Sequence, residues 1–171
     1  PDFVMHINLS FVQIVKSNIV KDVLENIERY SAANNHYVFE ITETIEMDQI
    51  PAVQNVFKEF VKNEFRFAID DFGTGYSNYG YMRDRTFDIV KVDRSFVTDI
   101  DKLKDNYLMV SFIIKMAHEM GLHVCIEGVE TKEELSCVKK LGADYIQGYY
   151  YGKPVCLQDF EEQHLKRFVL G

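Results

Sequence analysis

Two adjacent carboxylates, Asp70 and Asp71, follow a short apolar run and precede a turn that contains Gly73 and Gly75. The apolar run has strand character, and the glycines interrupt that pattern at once. Side chains alternate along a strand, so two neighbouring aspartates cannot both point into one core. At a strand end both can face a cation, although an isolated Asp-Asp-x-Gly sequence is more often a turn that caps the following helix.

Other polar side chains occupy the corresponding place in the neighbouring segments. They lie at or near the C-terminal ends of predicted strands and are 20 to 36 residues apart: Asn8, Glu40, Asp70 with Asp71, Lys91, Glu127 and Gln147. Each alone has an ordinary interpretation, since an acid after a strand usually caps the next helix and a single lysine is usually solvated. Six at the same place in six successive units indicate a shared functional site.

This set has the composition of a divalent-cation site. One amide oxygen and four carboxylates are hard ligands suited to Mg²⁺ or Mn²⁺: Asn8, Glu40, Asp70, Asp71 and Glu127. A bridging carboxylate such as Asp70 would hold two ions about 4 Å apart, as in two-metal phosphoryl hydrolysis. Lys91 adds a positive charge near the attacking water or the phosphate. The residues alone therefore suggest metal-assisted hydrolysis of a phosphate ester.

Other catalytic arrangements find less support in the sequence. The strand-end set contains no Ser-His-Asp or Cys-His arrangement, and the histidines lie mostly in helices or inside strands: His6, His36, His118, His123 and His164. The three cysteines show no metal-ligand spacing, and their odd number fits a reducing cytosol: Cys125, Cys137 and Cys156. Gly73 and Gly75 do not form a nucleotide-binding loop, because neither the Rossmann pattern nor a Gly-Lys-Ser/Thr sequence follows.

Length and charge set the broad class. A chain of 171 residues that is 47% hydrophobic predicts one globular domain with a sizeable core. The net charge of −8 argues against binding of nucleic-acid polymers, but it permits a small anionic substrate where metal ions reverse the local field. The chain opens with no signal peptide, and its longest apolar stretch, Leu108 to Ile114, is too short to span a bilayer. We therefore expect a cytoplasmic domain cut from a larger protein, and this expectation allows a membrane anchor elsewhere in that protein.

The hydrophobic pattern predicts six βα units. The expected strands are Phe3 to Leu9, His36 to Ile41, Phe65 to Ile69, Asp88 to Val92, Leu122 to Ile126 and Tyr145 to Tyr149. Helices are expected from Asn18, from Pro51, along a repeat of Leu108, Phe112, Met116 and Met120, from a capping box of Thr131 with Glu134 to Gly142, and from Leu157 to Phe168. Alternating strands and helices favour a parallel sheet, and in a β/α barrel the strand ends converge on one mouth.

Six ordered motifs resemble those of the EAL domain family. They are Asn8-Leu9-Ser10, Phe39-Glu40-Ile41-Thr42-Glu43, Asp70 to Ser77, Lys91 to Val97, Glu127-Gly128-Val129-Glu130 and Gln147-Gly148-Tyr149. The resemblance covers essentially the whole chain. It implies an α/β fold, a (β/α)8 TIM-like barrel of the EAL type with about six βα units present. It also implies hydrolysis of cyclic di-GMP to linear pGpG in bacterial second-messenger signalling.

The resemblance also implies roles for individual residues. Asn8, Glu40 and Asp70 would bind one of two Mg²⁺ or Mn²⁺ ions, with Asp70 shared and Asp71 on the second ion. Lys91 would contact the hydrolytic water, and Glu127 would be a metal ligand or general base. Asp93 would orient water, unless it is an ordinary helix cap, and Gln147 would touch the nucleotide. A regulatory loop would close over the metals and respond to homodimerisation, anchored by Glu43: Phe72, Gly73, Thr74, Gly75, Tyr76, Ser77 and Asn78.

The sequence departs from the family at its beginning. The Glu-Ala-Leu motif and the strands before Asn8 are absent, whereas a complete barrel has eight strands in about 250 residues. We therefore expect residues 1–171 to be the C-terminal three-quarters of an EAL domain, with open sheet edges that favour association. Three functions are considered: a phosphodiesterase active with its N-terminal part and inhibited by Ca²⁺, a catalytically inactive cyclic di-GMP receptor, and a regulatory or dimerisation module. Sensor or cyclase domains are expected upstream in the parent protein.

Overall fold

The computed structural model describes residues 4–16, 18–29, 33–42, 51–74 and 86–165. Its strands are β1 (Met5–Asn8), β2 (Tyr37–Thr42), β3 (Arg66–Phe72), β4 (Ile89–Val92), β5 (His123–Ile126) and β6 (Tyr145–Ile146). Its α-helices are α1 (Phe11–Lys16), α2 (Ile19–Arg29), α3 (Pro51–Lys62), α4 (Lys104–Glu119), α5 (Lys132–Leu141) and α6 (Leu157–Phe160). Short 3₁₀ turns cover Asn34–His36 and Arg94–Phe96, and a π-helical turn, Glu161–Leu165, follows α6. None of the helices in these ranges combines the length and apolar character that a bilayer-spanning helix needs.

The six strands form one parallel sheet in which spatial order equals chain order, from β1 to β6. Each strand pairs with the next one along the chain, from Met5 opposite Tyr37 to Ile126 opposite Ile146. Parallel neighbours require a crossover, and helices supply it, as the alternating pattern predicts. The predicted α/β class and the six strands of a β/α barrel are thus confirmed.

The face of the sheet that meets the helices holds the larger core. Phenylalanines of β2, α3, β3 and the residue just before β3 pack there with ring centroids 4.8 to 6.0 Å apart: Phe39, Phe57, Phe60, Phe65 and Phe67. The opposite face carries a second, smaller cluster that consists of Val38, Ala68, Ile89 and Cys125 with Val4 packed against it. We call these five residues the apolar interior layer. Side chains alternate along each strand, so the residues two positions further on face the same interior.

The apolar repeats in the sequence indicate where helices form more reliably than they indicate which helix face is buried. In α2, Val20 and Ile27 are buried as expected. In α4, however, the repeat that predicted the helix is largely exposed, with Leu108 52% and Phe112 58% accessible. The buried residues of α4 are instead Val110, Ile113, Ile114 and Ala117. A repeat of period four is compatible with either face of a helix, so tertiary packing decides which face is covered.

The predicted capping box opens α5 and ties it to the loop after β4. Thr131 accepts a hydrogen bond from the Glu134 amide, and Glu134 accepts one from the Thr131 amide. The second oxygen of the buried Glu134 carboxylate accepts from the backbone N–H of Asp99, 3.2 Å away. Gly142 ends the helix in the left-handed conformation, as predicted.

Candidate active site

Lys91 is the centre of the candidate site. It lies on β4, is 3% exposed, and its ammonium contacts three carboxylates, those of Glu40 at 2.7 Å, Asp70 at 2.7 Å and Glu127 at 2.8 Å. An ammonium has three hydrogens, so each carboxylate can accept one. Burial alone would lower the pKa of Lys91, but these three partners raise it well above its usual range. Lys91 is therefore a buried permanent cation.

The side chains around Lys91 come from successive strands and share one level of the sheet interior. Each lies two residues after a member of the apolar interior layer: Glu40 after Val38, Asp70 after Ala68, Lys91 after Ile89 and Glu127 after Cys125. By the same spacing, His6 follows Val4. We call His6, Glu40, Asp70, Lys91 and Glu127 the polar interior layer. It is the level at which a β/α barrel places catalytic side chains, toward the C-terminal ends of its strands.

β3 extends further than the sequence indicated. It runs through Asp70, Asp71 and Phe72, whereas the sequence predicted that it ends at Ile69. Its register with β4 shifts between Ile69 and Phe72, and Asp71 adopts a positive φ of 54°. A regular strand would point Asp71 away from Asp70; the irregularity changes its direction. As a result, carboxylate oxygens of Asp70, Asp71 and Glu127 lie within 4.8 Å of one another.

The turn after Asp71 supports this unusual backbone. The carbonyl of Asp71 accepts hydrogen bonds from the amide of Thr74, at 3.2 Å, and from its hydroxyl, at 2.9 Å. Gly73 has a φ of 95° and lies against the ring of Phe96, which would be 2.8 Å from an added Cβ. Only glycine combines that backbone with that contact. The turn after β3 is therefore packed directly against the 3₁₀ turn after β4.

The carboxylates of the site differ in their affinity for protons. Burial raises the pKa of Glu40, but hydrogen bonds from His6 and Lys91 outweigh it, and the net shift is downward. Burial also raises the pKa of Glu127; Lys91 opposes this only in part, so the net shift is upward. The pKa of Asp71 is raised by burial and by the negative charges of Asp70 and Asp93. Among the described residues, Glu40 accepts hydrogen bonds from two side chains, His6 and Lys91, and Glu127 accepts one from Lys91.

The other predicted site residues are placed as follows. Asn8 ends β1 directly opposite Glu40. Gln147 follows β6, and its backbone N–H donates to the carbonyl of Ile126. Asp93 follows β4 and accepts a hydrogen bond from the amide of Ser95 at 3.0 Å, so it caps the 3₁₀ turn. This geometry favours the cap interpretation of Asp93. Glu43 and four predicted loop residues lie outside the described residues: Gly75, Tyr76, Ser77 and Asn78.

One residue of the polar interior layer was missed by the sequence reasoning. His6 contacts the Glu40 carboxylate through Nδ1 at 2.7 Å. The sequence pattern placed the histidines mostly in helices or inside strands, and the predicted metal ligand of this strand was Asn8 at its end. The spacing held a usable signal, because residues two apart on a strand face the same side.

Comparison with known proteins identifies the family. The EAL domain model matches residues 1–154 of the 171. The chain belongs to the EAL domain family. It is 34% identical over 153 residues to the probable cyclic di-GMP phosphodiesterase PdeA of Escherichia coli strain K12. The aligned region covers 90% of this chain and 21% of PdeA. The chain thus spans about a fifth of the length of this relative.

Solved EAL structures have the same fold. The EAL enzyme Bd1971, bound to cAMP and cyclic di-GMP, superposes with a TM-score of 0.88 at 34% identity, over 94% of this chain and 42% of Bd1971. BlrP1 of Klebsiella pneumoniae, in complex with manganese and cyclic di-GMP, gives a TM-score of 0.81 at 27% identity. That match covers 88% of this chain and 39% of BlrP1. The six strands described above are therefore part of an EAL-type barrel.

The raised pKa of Asp71 leads to a first prediction for this EAL chain. In the folded protein Asp71 holds its proton more tightly than in the unfolded one, so its contribution to stability is lost as pH rises from its ordinary pKa of 3.8 through the raised value. At pH 7 the ionised side chain opposes folding. We therefore expect Asp71→Asn to raise the melting temperature in chelator, since asparagine tolerates a positive φ.

The same variant should respond less to divalent cations. Mn²⁺ should raise the melting temperature of the parent and should raise that of Asp71→Asn less, because a ligand that binds the native state stabilises it. Asp101→Asn, which removes an exposed carboxylate, serves as the control and should match the parent in both measurements. A lower melting temperature of Asp71→Asn in chelator, or an equal Mn²⁺ effect in both proteins, would contradict this account.

Proposed function

We propose that this chain is the C-terminal part of an EAL domain that hydrolyses cyclic di-GMP to linear pGpG with two Mg²⁺ or Mn²⁺ ions. The observation that carries the proposal is the group of three carboxylates around the buried Lys91 in a chain of the EAL domain family. The name of PdeA and the manganese and cyclic di-GMP complex of BlrP1 support the choice of substrate and metal.

The donor set fits hard divalent cations. The carboxylate oxygens of Asp70, Asp71 and Glu127 lie close enough together to contact one ion. Glu40 of β2 also contacts the Lys91 ammonium, and Asn8 ends the adjacent strand β1. Oxygen-only ligands of this kind suit Mg²⁺ and Mn²⁺. Cations bound there would supply Lewis acidity, which activates water and neutralises charge on a phosphate.

The chain's own residues have complementary tasks in this proposal. Lys91 keeps its positive charge at all physiological pH values, so it can stabilise negative charge that develops on the phosphodiester. Glu127 has the higher proton affinity of the two glutamates, which suits a group that accepts a proton from water. Gln147, which directly follows β6, would contact the nucleotide.

The other two functions make different predictions for binding and turnover. An inactive receptor would bind cyclic di-GMP with either Ca²⁺ or Mn²⁺ and hydrolyse it with neither. A dimerisation module would not bind it at all. The carboxylate cluster disfavours a module that binds no cation, because grouped carboxylates cost stability unless they bind something. The retained candidate ligands argue against the inactive receptor, a class in which such ligands are lost: Asp70, Asp71, Lys91 and Glu127. Calorimetry with cyclic di-GMP in Ca²⁺, followed by a hydrolysis assay in Mn²⁺, separates the three.

The second prediction concerns metal dependence. Hydrolysis of cyclic di-GMP by the domain that includes its N-terminal part should require Mg²⁺ or Mn²⁺, because the ligands are oxygens only, and excess chelator should abolish it. Ca²⁺ should inhibit, since it accepts a looser and larger coordination geometry than Mg²⁺. Chromatographic detection of pGpG with each ion gives the answer. Full activity in excess chelator would exclude the two-metal mechanism.

The third prediction concerns Lys91→Ala. Turnover should fall by about 10²-fold or more, the scale of removing one preorganised electrostatic stabiliser, while cyclic di-GMP binding in Ca²⁺ changes much less. Lys115→Ala removes an exposed lysine of α4 and provides the control. If Lys91→Ala turns over within a few-fold of the parent, Lys91 has only the structural role of pairing with the carboxylates.

We also propose that the chain acts as a homodimer through α4. Large apolar side chains are exposed on this helix and just before it: Leu103, Tyr107, Leu108, Met109 and Phe112. Asn106 of the same helix donates to the carbonyls of Ser95 and Thr98, next to the 3₁₀ turn that packs on Gly73. An apolar face suits a second copy of itself across a two-fold axis. The α4 face is thereby linked to the turn after Asp71.

The fourth prediction tests this interface. Phe112→Glu should convert a dimer to a monomer in sedimentation velocity, because it places a charge in the middle of the apolar face. The fold should be retained, since Phe112 is 58% exposed. Lys58→Glu introduces an acidic residue on the exposed surface of α3, away from α4, and it should leave the dimer intact. A Phe112→Glu protein that sediments like the parent would place the interface elsewhere.

The chain spans 21% of the length of PdeA. We propose that the parent protein also carries sensor or cyclase domains and that the catalytic domain lies in the cytoplasm.

A further inference from the structure

His6 is the least expected member of the polar interior layer. Two residues before it, Val4 packs against the apolar interior layer, and His6 itself lies at the level of Glu40. The ladder pairs His6 with Val38 and Asn8 with Glu40, so His6 must reach toward the strand end to contact Glu40. In TIM-like sheets the strands are tilted, and side chains of one level come from residues that are offset in the ladder. The contact follows from that tilt.

The chemistry of the contact fixes the state of the imidazole. Nδ1 of His6 is 2.7 Å from Oε1 of Glu40, and Oε2 of the same carboxylate is 2.7 Å from the ammonium of Lys91. An ionised carboxylate only accepts hydrogen bonds, so Nδ1 must carry a proton. Both oxygens of Glu40 are therefore held by donors on opposite sides. Hydrogen bonds to both oxygens fix the plane of a carboxylate as well as its position.

We propose that His6 is a positioning residue that holds the Glu40 carboxylate in the orientation needed to bind a divalent cation. The inference rests on the proposed role of Glu40 as a metal ligand. Groups that hydrogen-bond to metal ligands commonly change metal affinity by 10- to 100-fold when they are removed. Glu40 depends on His6 in particular because its other partner, Lys91, is shared with Asp70 and Glu127.

The test is Mn²⁺ binding measured by isothermal titration calorimetry, without substrate. His6→Leu removes the donor at similar size and should weaken Mn²⁺ binding by about tenfold or more. His6→Asn places an amide nitrogen near the position of Nδ1 and should bind within about threefold of the parent, by the same scale. His36→Leu makes the same change at an exposed histidine next to β2 and should have no effect.

A spectroscopic signature distinguishes positioning from general structural support. In the metal-free parent at pH 8, nitrogen NMR should show His6 as the Nδ1-protonated tautomer, and Glu40→Gln should reduce that preference. Should His6→Leu fail to fold, His6→Asn is compared with His6→Gln, which carries its amide further out. The proposal requires tighter Mn²⁺ binding by the asparagine variant.

The outcomes separate this inference from the proposed function. The unmutated protein and its variants are compared in the domain that includes its N-terminal part, and an unmutated domain that binds no Mn²⁺ would overturn the proposed function itself. A parent that binds Mn²⁺ and a His6→Leu variant that binds it equally well would overturn only the role of His6. Equal loss in His6→Leu and His6→Asn would also overturn positioning, because the imidazole would then be needed for something other than its Nδ1 donor.

Discussion

The ion pairs of one buried ammonium hold the candidate site together. Lys91 contacts Glu40, Asp70 and Glu127 at hydrogen-bond distance while it is almost inaccessible to water. Removing so many charges from water costs several kcal/mol per ion unless opposite charges compensate. One positive charge cannot balance three carboxylates, and Asp71 adds a fourth nearby. The excess negative charge is what makes divalent cations favourable partners of this layer.

The geometry of a tilted parallel sheet allows those charges to meet. In the ladder, Lys91 lies opposite Cys125, yet its ammonium contacts Glu127, two residues further along the chain and directly after β5. Offsets of this kind place side chains from successive strands at one level of the interior. The apolar interior layer lies directly beneath and separates the charges from the rest of the sheet interior. The carboxylates are thus confined to the end of the sheet where a substrate can enter.

The sequence predicted the order of elements and most of the site, because both depend on local patterns. Strand-end spacing found Glu40, Asp70, Lys91 and Glu127 without any knowledge of register. It could not find the extension of β3 through Asp71, because a positive φ and a shifted ladder depend on contacts with the neighbouring strand and turn. Nor could it find His6, whose contact with Glu40 depends on strand tilt. The apolar repeat of α4 predicted a helix but could not show which of its faces is covered.

The position of each glutamate in the strand order explains why two chemically identical groups differ. Glu40 lies on β2, where His6 of β1 donates to one of its oxygens and Lys91 of β4 donates to the other. Glu127 directly follows β5 and is paired with Lys91 alone among the described ion pairs. The lowered pKa of Glu40 suits a group that stays ionised and binds a cation, whereas the raised pKa of Glu127 suits a group that exchanges a proton. Strand order therefore gives two glutamates opposite pKa shifts, a difference that the residue types alone do not contain.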